Sequence, residues 1–406
     1  MSDLHKEFLR AKLRHLPLEP PMPPTHQLSE LTILSEHNED EEEIGSIPPS
    51  PLTDDSSSAS SASSTGTIRP FFRPAQPRKK PTFEPIPWQT HFSLSLYLAS
   101  PTSPSTTYHA YLTPPLPKGP LFIMHHGAGS AGLSFALLAT SIRKLLPSAG
   151  VLSLDARGHG ETVTSDDSDL SLSTLSSDLI EVIQLTAQNC GWSPLPDIVL
   201  VGHSLGGAVV VDVAYSGKLG NALLGYAVLD VVEGSAIDAL QSMHTYLSTR
   251  PTGFSSLSQG IEWHSRSRTL RNPTSARISV PALLSEDANS SSRPWKWRTD
   301  LAATQPFWEG WFVGLSKKFL KARGGKLLIL AGTDRLDKEL MIGQMQGKYQ
   351  LLVLPEVGHF VHEDAPEKTA VALVEFYRRN DRSTLVLPPK VGDMYKPAAG
   401  KHYTSI

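Results

Sequence analysis

The most constraining stretch of the chain runs from Asp197 to Val213. An apolar run, Ile198-Val199-Leu200-Val201, leads into Gly202-His203-Ser204-Leu205-Gly206-Gly207, and Ala208 to Val213 continue at helical spacing. Strand, Gly-x-Ser-x-Gly and helix in that order form a sharp turn that presents a serine hydroxyl at the end of a sheet. Ser204 is expected in a strained backbone conformation, with Gly202 and Gly206 leaving room where a side chain would strike neighbouring backbone. The first turn of the helix aims free N–H groups and its positive dipole end at the oxygen that reacts there. Ser204 is therefore the candidate nucleophile.

Other short apolar runs repeat along the chain: Leu121 to Met124, Val151 to Leu154, Tyr226 to Leu229, Leu327 to Leu330 and Leu351 to Leu354. Runs of this kind suit parallel strands buried on both faces. Helical spacing at 133–146, 175–186, 208–215 and 366–378 fills the gaps between them, so a mostly parallel, doubly wound α/β sheet is expected. Ahead of it, Phe92, Leu94, Leu96 and Leu98 alternate with polar or small residues, and Tyr108 to Leu112 offers an antiparallel partner. About ninety residues separate Leu229 from Leu327, far more than ordinary connections need. They are read as a mainly helical cap over residues 235–321, inserted above the carboxyl end of the sheet. The cap holds Trp263, Trp295, Trp297, Trp308 and Trp311. Trp308, Trp311, Phe312 and Leu315 are expected to pack down onto the sheet.

Residues 1–80 differ from the rest. Pro20 to Pro24, the acidic run Glu39 to Glu43 and the serine-dominated stretch from Ser56 to Ser64 bury too little apolar surface to offset chain entropy. A disordered, low-complexity N-terminal region is expected, followed by one α/β domain over 81–406 whose tail, 381–406, is polar. Charge and composition exclude several classes of function. With 37 Lys+Arg against 40 Asp+Glu, the net charge of −3 supplies no field for gripping nucleic acid. The lone Cys190 cannot form an internal disulfide, and no zinc-type spacing occurs. No window approaches the run of apolar residues that a membrane span or a signal peptide needs. A protein without metal or cofactor, cytoplasmic and with a nuclear location as a second option, is expected.

Acyl transfer needs preorganised N–H donors for the developing oxyanion. Leu205, after the nucleophile, is one candidate. The loop His125-His126-Gly127-Ala128-Gly129-Ser130 offers Ala128 as the other, with Gly129 as its alternative. The general base is expected late in the chain, and His359 follows the last apolar run, with His362 as competitor. His203 is read as a packing or orienting residue. Two aspartates, Asp230 and Asp334, each follow a strand and both satisfy the order Ser, Asp, His. Asp155, which precedes Ser204, is expected to tie down its own loop with Arg157.

The segments Asp230-Val-Val-Glu-Gly-Ser-Ala-Ile-Asp-Ala-Leu240, Arg335-Leu-Asp-Lys338 and Met345-Gln-Gly-Lys348 carry a resemblance, together with Gly202 to Gly207, Gly358-His359 and His362-Glu-Asp-Ala-Pro366. From about Phe83 to Arg379 the chain resembles the protein phosphatase methylesterase family. That resemblance implies an α/β-hydrolase fold and removal of the methyl ester from the C-terminal leucine of the protein phosphatase 2A catalytic subunit. It also implies a triad of Ser204, Asp230 and His359, with Asp334 left to hold its loop or touch substrate. Arg335, Met345 and Lys348 become candidate contacts to the phosphatase. The stretch from Ser285 to Ser292 is short where relatives carry a long acidic insertion. Two other readings remain: a small-molecule carboxylesterase or lipase of the same fold, and a phosphatase-binding protein without activity.

Overall fold

The structure, a computed structural model, describes residues 82–290, 292–332 and 336–384. The expectations for residues 1–80 and for the tail beyond 384 fall outside them.

The chain opens with β1 (Leu94–Ala99) and β2 (Thr107–Thr113), which pair antiparallel as the alternation predicts. Then come β3 (Leu121–His125), α1 (Ala136–Leu145), β4 (Gly150–Leu154), α2 (Leu172–Cys190), β5 (Ile198–His203), α3 (Leu205–Ser216) and β6 (Leu223–Leu229). The inserted region contributes α4 (Glu233–Thr249), α5 (Leu257–Arg266), α6 (Pro273–Leu283), a hairpin of β7 (Leu284–Glu286) and β8 (Trp295–Trp297), α7 (Trp308–Phe312) and α8 (Leu315–Lys321). The chain returns to the sheet with β9 (Gly325–Leu330), α9 (Lys338–Met345), β10 (Gln350–Val353), α10 (Val361–Asp364) and α11 (Pro366–Asn380).

Eight strands form one sheet in the order β1-β2-β4-β3-β5-β6-β9-β10. The β2–β4 pair is antiparallel, and every pair from β4 to β10 is parallel. Every residue of β3, β4, β5 and β6 is buried, because helices cover both faces. On one face lie α2, α3, α7 and α8. On the other, α1 and α11 pack against Phe122, Val199, Ala227 and Ile329. This is the mostly parallel, doubly wound α/β arrangement expected from the apolar runs. It brings the carboxyl ends of β3, β5, β6 and β10 to one rim, and Ala128, Ser204, Leu205, Asp230 and His359 follow those ends.

The cap is mainly helical, but its β7–β8 hairpin was not anticipated. Each of its strands is three residues long, too short for a period of two to register. Trp308, Trp311, Phe312 and Leu315 are buried in the same core as α3 and β6. Trp311 donates its indole N–H to the Leu170 carbonyl at 2.7 Å, so the ring is anchored at both its apolar body and its polar tip. Truncating such a side chain costs about 3–5 kcal/mol. Trp263, Trp295 and Trp297 instead gather with Phe254 in a separate small core within the cap, and the Arg250 guanidinium lies 3.8 Å over Trp297.

Candidate active site

Ser204 stands between β5 and α3 at φ 51°, ψ −120°. A side chain avoids that region because its Cβ crowds the backbone, so the turn stores strain that the surroundings must enforce. The enforcement is visible at two glycines. A Cβ on Gly202 would lie 2.1 Å from the Gly206 carbonyl oxygen, and one on Gly206 would lie 2.1 Å from that of His125. The Ser204 N–H is held by the Leu229 carbonyl at 3.1 Å. The nucleophile is thus gripped by the strand on either side of its own.

Asp230 directly follows β6 and is also at positive φ, 50°. Its N–H donates to the Ile329 carbonyl at 2.7 Å, and its Oδ1 accepts from Ala331 N–H at 2.8 Å. With those bonds to the end of β9 and the residue after it, Oδ2 accepts from His359 Nδ1 at 2.8 Å. The carboxylate is fully buried, whereas the His359 side chain is 45% exposed. A proton on Nδ1 facing the carboxylate leaves Nε2 as the lone-pair nitrogen. Of the two candidate acids, Asp230 makes the bond to His359; Asp334 and Arg335 lie outside the described residues.

His359 sits in the loop after β10, and several unrelated elements brace that loop. Gly358 N–H donates to Asp364 Oδ2 at 2.8 Å, while from the cap Arg271 Nη1 donates to the Glu356 carbonyl at 2.7 Å. His203 donates Nε2–H to the carbonyl of His359 itself at 2.9 Å. His203 therefore orients the base's loop as well as the elbow, a contact that sequence spacing could not show. Burial, with His362 and His359 close by, pushes the His203 imidazole well below its usual range. It stays neutral, which avoids placing a second cation beside an imidazolium forming on His359.

His362 is not the base. It is fully buried in α10, stacked 4.4 Å from Phe135, and burial pushes it down to about 3. The next residue, Glu363, accepts from the hydroxyls of Ser275 and Ser279 on α6, both at 2.7 Å. The cap is thereby tied to the helix that follows the base.

The first-turn N–H of Leu205 has no intrahelical acceptor, and among the described residues it donates to none elsewhere. The same holds for Ala128 N–H. Gly129, the alternative donor, is spent: its N–H bonds to His159 Nε2 at 2.9 Å. Gly127 abuts the nucleophile, since a Cβ there would fall 3.0 Å from the Ser204 Cβ. Of the candidate donors, Leu205 and Ala128 thus keep their N–H groups without an acceptor among the described residues, whereas Gly129 does not.

Asp155 does organise its own loop, accepting Glu161 N–H at 3.0 Å, but its side-chain partner is His109, whose Nδ1 lies 2.7 Å from Oδ2. The expected tie to Arg157 is corrected: Arg157 instead makes a bidentate pair with Asp178 of α2, at 2.6 and 2.7 Å. The nearer, fixed carboxylate on a neighbouring helix wins the guanidinium. Met345 and Lys348 precede β10 and are both exposed. Met345 is 89% exposed and lies on α9 with Met341 and Ile342, also exposed. Between the cap and the loop 158–170 runs an open cleft of about 460 Å³ whose walls include Asp167, Arg298, Thr299 and Asp300. Among the described residues no group of three or more His, Cys, Asp or Glu side chains could hold a metal, and no helix is long and apolar enough to cross a membrane.

An alpha/beta hydrolase family model matches residues 122–372. Protein phosphatase methylesterase 1 of Gibberella zeae is 66% identical over 342 residues, spanning 82% of this chain and 86% of its own. The protein of that name from Aspergillus oryzae is 57% identical over 99% of this chain and 95% of its own, and that from Schizosaccharomyces pombe 47% over 75% and 88%. Among solved structures, E-2-(acetamidomethylene)succinate hydrolase is similar in fold alone. It has a TM-score of 0.56 and 19% identity, covering 70% of this chain and 99% of that one.

Proposed function

This chain belongs to the protein phosphatase methylesterase family of α/β-hydrolases, and from that membership we propose that it removes the methyl ester from the C-terminal leucine of the protein phosphatase 2A catalytic subunit. The observation that carries the chemistry is the Asp230–His359 hydrogen bond at 2.8 Å beside the strained Ser204 elbow. Ser204 Oγ attacks the ester carbonyl while His359 Nε2 takes its proton. The tetrahedral oxyanion is held by the Leu205 and Ala128 N–H groups. Collapse breaks the bond to the methoxy oxygen, His359 returns the proton to it, and methanol leaves. Water then gives a proton to His359 and attacks the acyl-enzyme. The free leucine carboxylate departs as Ser204 recovers its proton. Asp230 holds the imidazole in the required tautomer and stabilises the imidazolium formed in each half-reaction.

Asp167, Arg298 and Asp300 on the walls of the cleft beside the cap offer charged partners that suit a peptide. The exposed apolar row on α9, with Met345 and Lys348 at its end, suits a folded partner. Cytoplasmic and nuclear pools of the phosphatase are both within this reading. The test compares turnover on the intact methylated phosphatase with turnover on p-nitrophenyl acetate. A methylesterase favours the phosphatase by orders of magnitude in kcat/KM, whereas comparable values would support a small-molecule esterase instead.

A further inference from the structure

The loop after β4 lies between the cap and the oxyanion loop. From the cap, Thr299 Oγ1 donates to the Gly158 carbonyl at 2.8 Å and Arg298 Nη1 to that of Gly160 at 3.4 Å. Between those two glycines sits His159, almost wholly buried. Its Nδ1–H donates to the Arg157 carbonyl at 2.8 Å, which fixes the tautomer and leaves Nε2 as an acceptor for Gly129 N–H at 2.9 Å. The ring rests edge-on against His126, 5.0 Å away. His126 makes a parallel arrangement: Nδ1–H donates to the Gly127 carbonyl at 2.8 Å and Nε2 accepts Ala156 N–H at 3.0 Å. The backbone on both sides of Ala128 is thereby held by imidazoles of fixed tautomer. The Leu301 side chain closes over Gly129 from the cap, since a Cβ there would lie 2.7 Å from Leu301 Cδ1.

We propose that His159 is a positioning residue for the oxyanion hole: by taking the Gly129 N–H it fixes the Gly127–Ser130 turn so that the Ala128 N–H points free beside Ser204. Because the cap grips the same loop on either side of His159, the cap's seating and the oxyanion donor are set together. The inference rests on the esterase chemistry proposed for Ser204. It needs a neutral imidazole, and burial lowers the His159 pKa, so the acceptor is in place at neutral pH. The charged groups facing it, Asp155 and Asp167, oppose that lowering without reversing it.

Two substitutions separate the ring nitrogens. In His159→Gln the amide oxygen reaches the Nε2 position and can still accept Gly129 N–H. In His159→Asn the shorter amide can replace only the donation to Arg157. With p-nitrophenyl acetate, the Asn variant is expected to lose about 10–100-fold in kcat with little change in KM, as part of a single oxyanion donor's worth is withdrawn. The Gln variant is expected to stay within about threefold of wild type. Hydrogen exchange at Gly129 provides a readout that does not depend on turnover: protection is retained in Gln and lost in Asn. Equal kcat and equal protection in the two variants would overturn the proposal. Loss of ester hydrolysis in neither variant nor in Ser204→Ala would instead overturn the esterase reading, while the exchange result would still judge His159.

Discussion

His203, the neighbour of the nucleophile, donates its Nε2 proton to the main-chain carbonyl of His359 at 2.9 Å. Base and elbow are thereby tied through one neutral imidazole that belongs to the nucleophile's own turn. Replacing it removes the donor and leaves a carbonyl in the base's loop unpaired. His203→Leu is predicted to lower kcat about tenfold or more with KM nearly unchanged, because small displacements of a catalytic group are expensive. Steady-state kinetics on p-nitrophenyl acetate, with a melting curve to exclude unfolding, checks this. An unchanged kcat would mean that His359 is held without His203.

The carboxylate of Asp230 is buried and faces His359 Nδ1. Asp230→Asn keeps the shape but presents a donor or a neutral acceptor to the ring, favouring the wrong tautomer. A fall on the order of 10⁴ in turnover is expected. Asp334→Asn is expected to keep substantial activity. Near-normal turnover in the Asp230 variant, with loss in the Asp334 variant, would move the acid to the other strand end.

Glu363 titrates against the fold. Burial pushes its carboxyl up to about 8, although the Ser279 and Ser275 hydroxyls oppose the rise. In the unfolded chain the same group titrates near 4.5. The folded protein therefore holds a proton that the unfolded chain has released, so this contribution to stability is full below about pH 4.5 and is lost as pH rises through about 8. Glu363→Gln removes the titration. Wild type is predicted to lose melting temperature relative to Glu363→Gln between pH 5 and pH 8. Parallel curves across that range would show that Glu363 is ionised in the folded state.

Met345 is almost wholly exposed at the end of α9. If this face meets the phosphatase, Met345→Glu lowers kcat/KM on the methylated phosphatase by about tenfold or more, the scale of a moderate interface contact. It leaves p-nitrophenyl acetate hydrolysis and melting temperature unchanged. Equal effects on both substrates would assign Met345 to folding or chemistry and not to recognition.

Much of the sheet could be read from the chain because its strands are continuous apolar runs, buried on both faces, and the elbow has a rigid spacing. The acid could not be decided by pattern, since Asp230 and Asp334 both follow strands. What distinguishes Asp230 is three-dimensional: backbone at and just after the end of β9 binds its N–H and Oδ1, and Oδ2 faces His359. Arg157 shows the opposite outcome. Its neighbour in sequence, Asp155, was the natural partner, yet Asp178 on α2 takes the guanidinium. The bonds of His159 and His203 were equally hidden, because each joins a side chain to a main-chain group 30 or more positions away, where neither partner's residue type leaves a signal. The β7–β8 hairpin escaped for another reason: three residues per strand cannot establish a period.

The most direct test follows methanol released from the methylated phosphatase 2A catalytic subunit, comparing wild type with Ser204→Ala. Wild type is predicted to release methanol in step with loss of the methyl ester. Ser204→Ala, folded with an unchanged melting temperature, is predicted to retain only the residual catalysis of binding and the oxyanion hole, lower by a factor on the order of 10⁶. Release by the variant within tenfold of wild type would contradict Ser204 as the nucleophile, and release by neither protein would contradict the methylesterase activity itself.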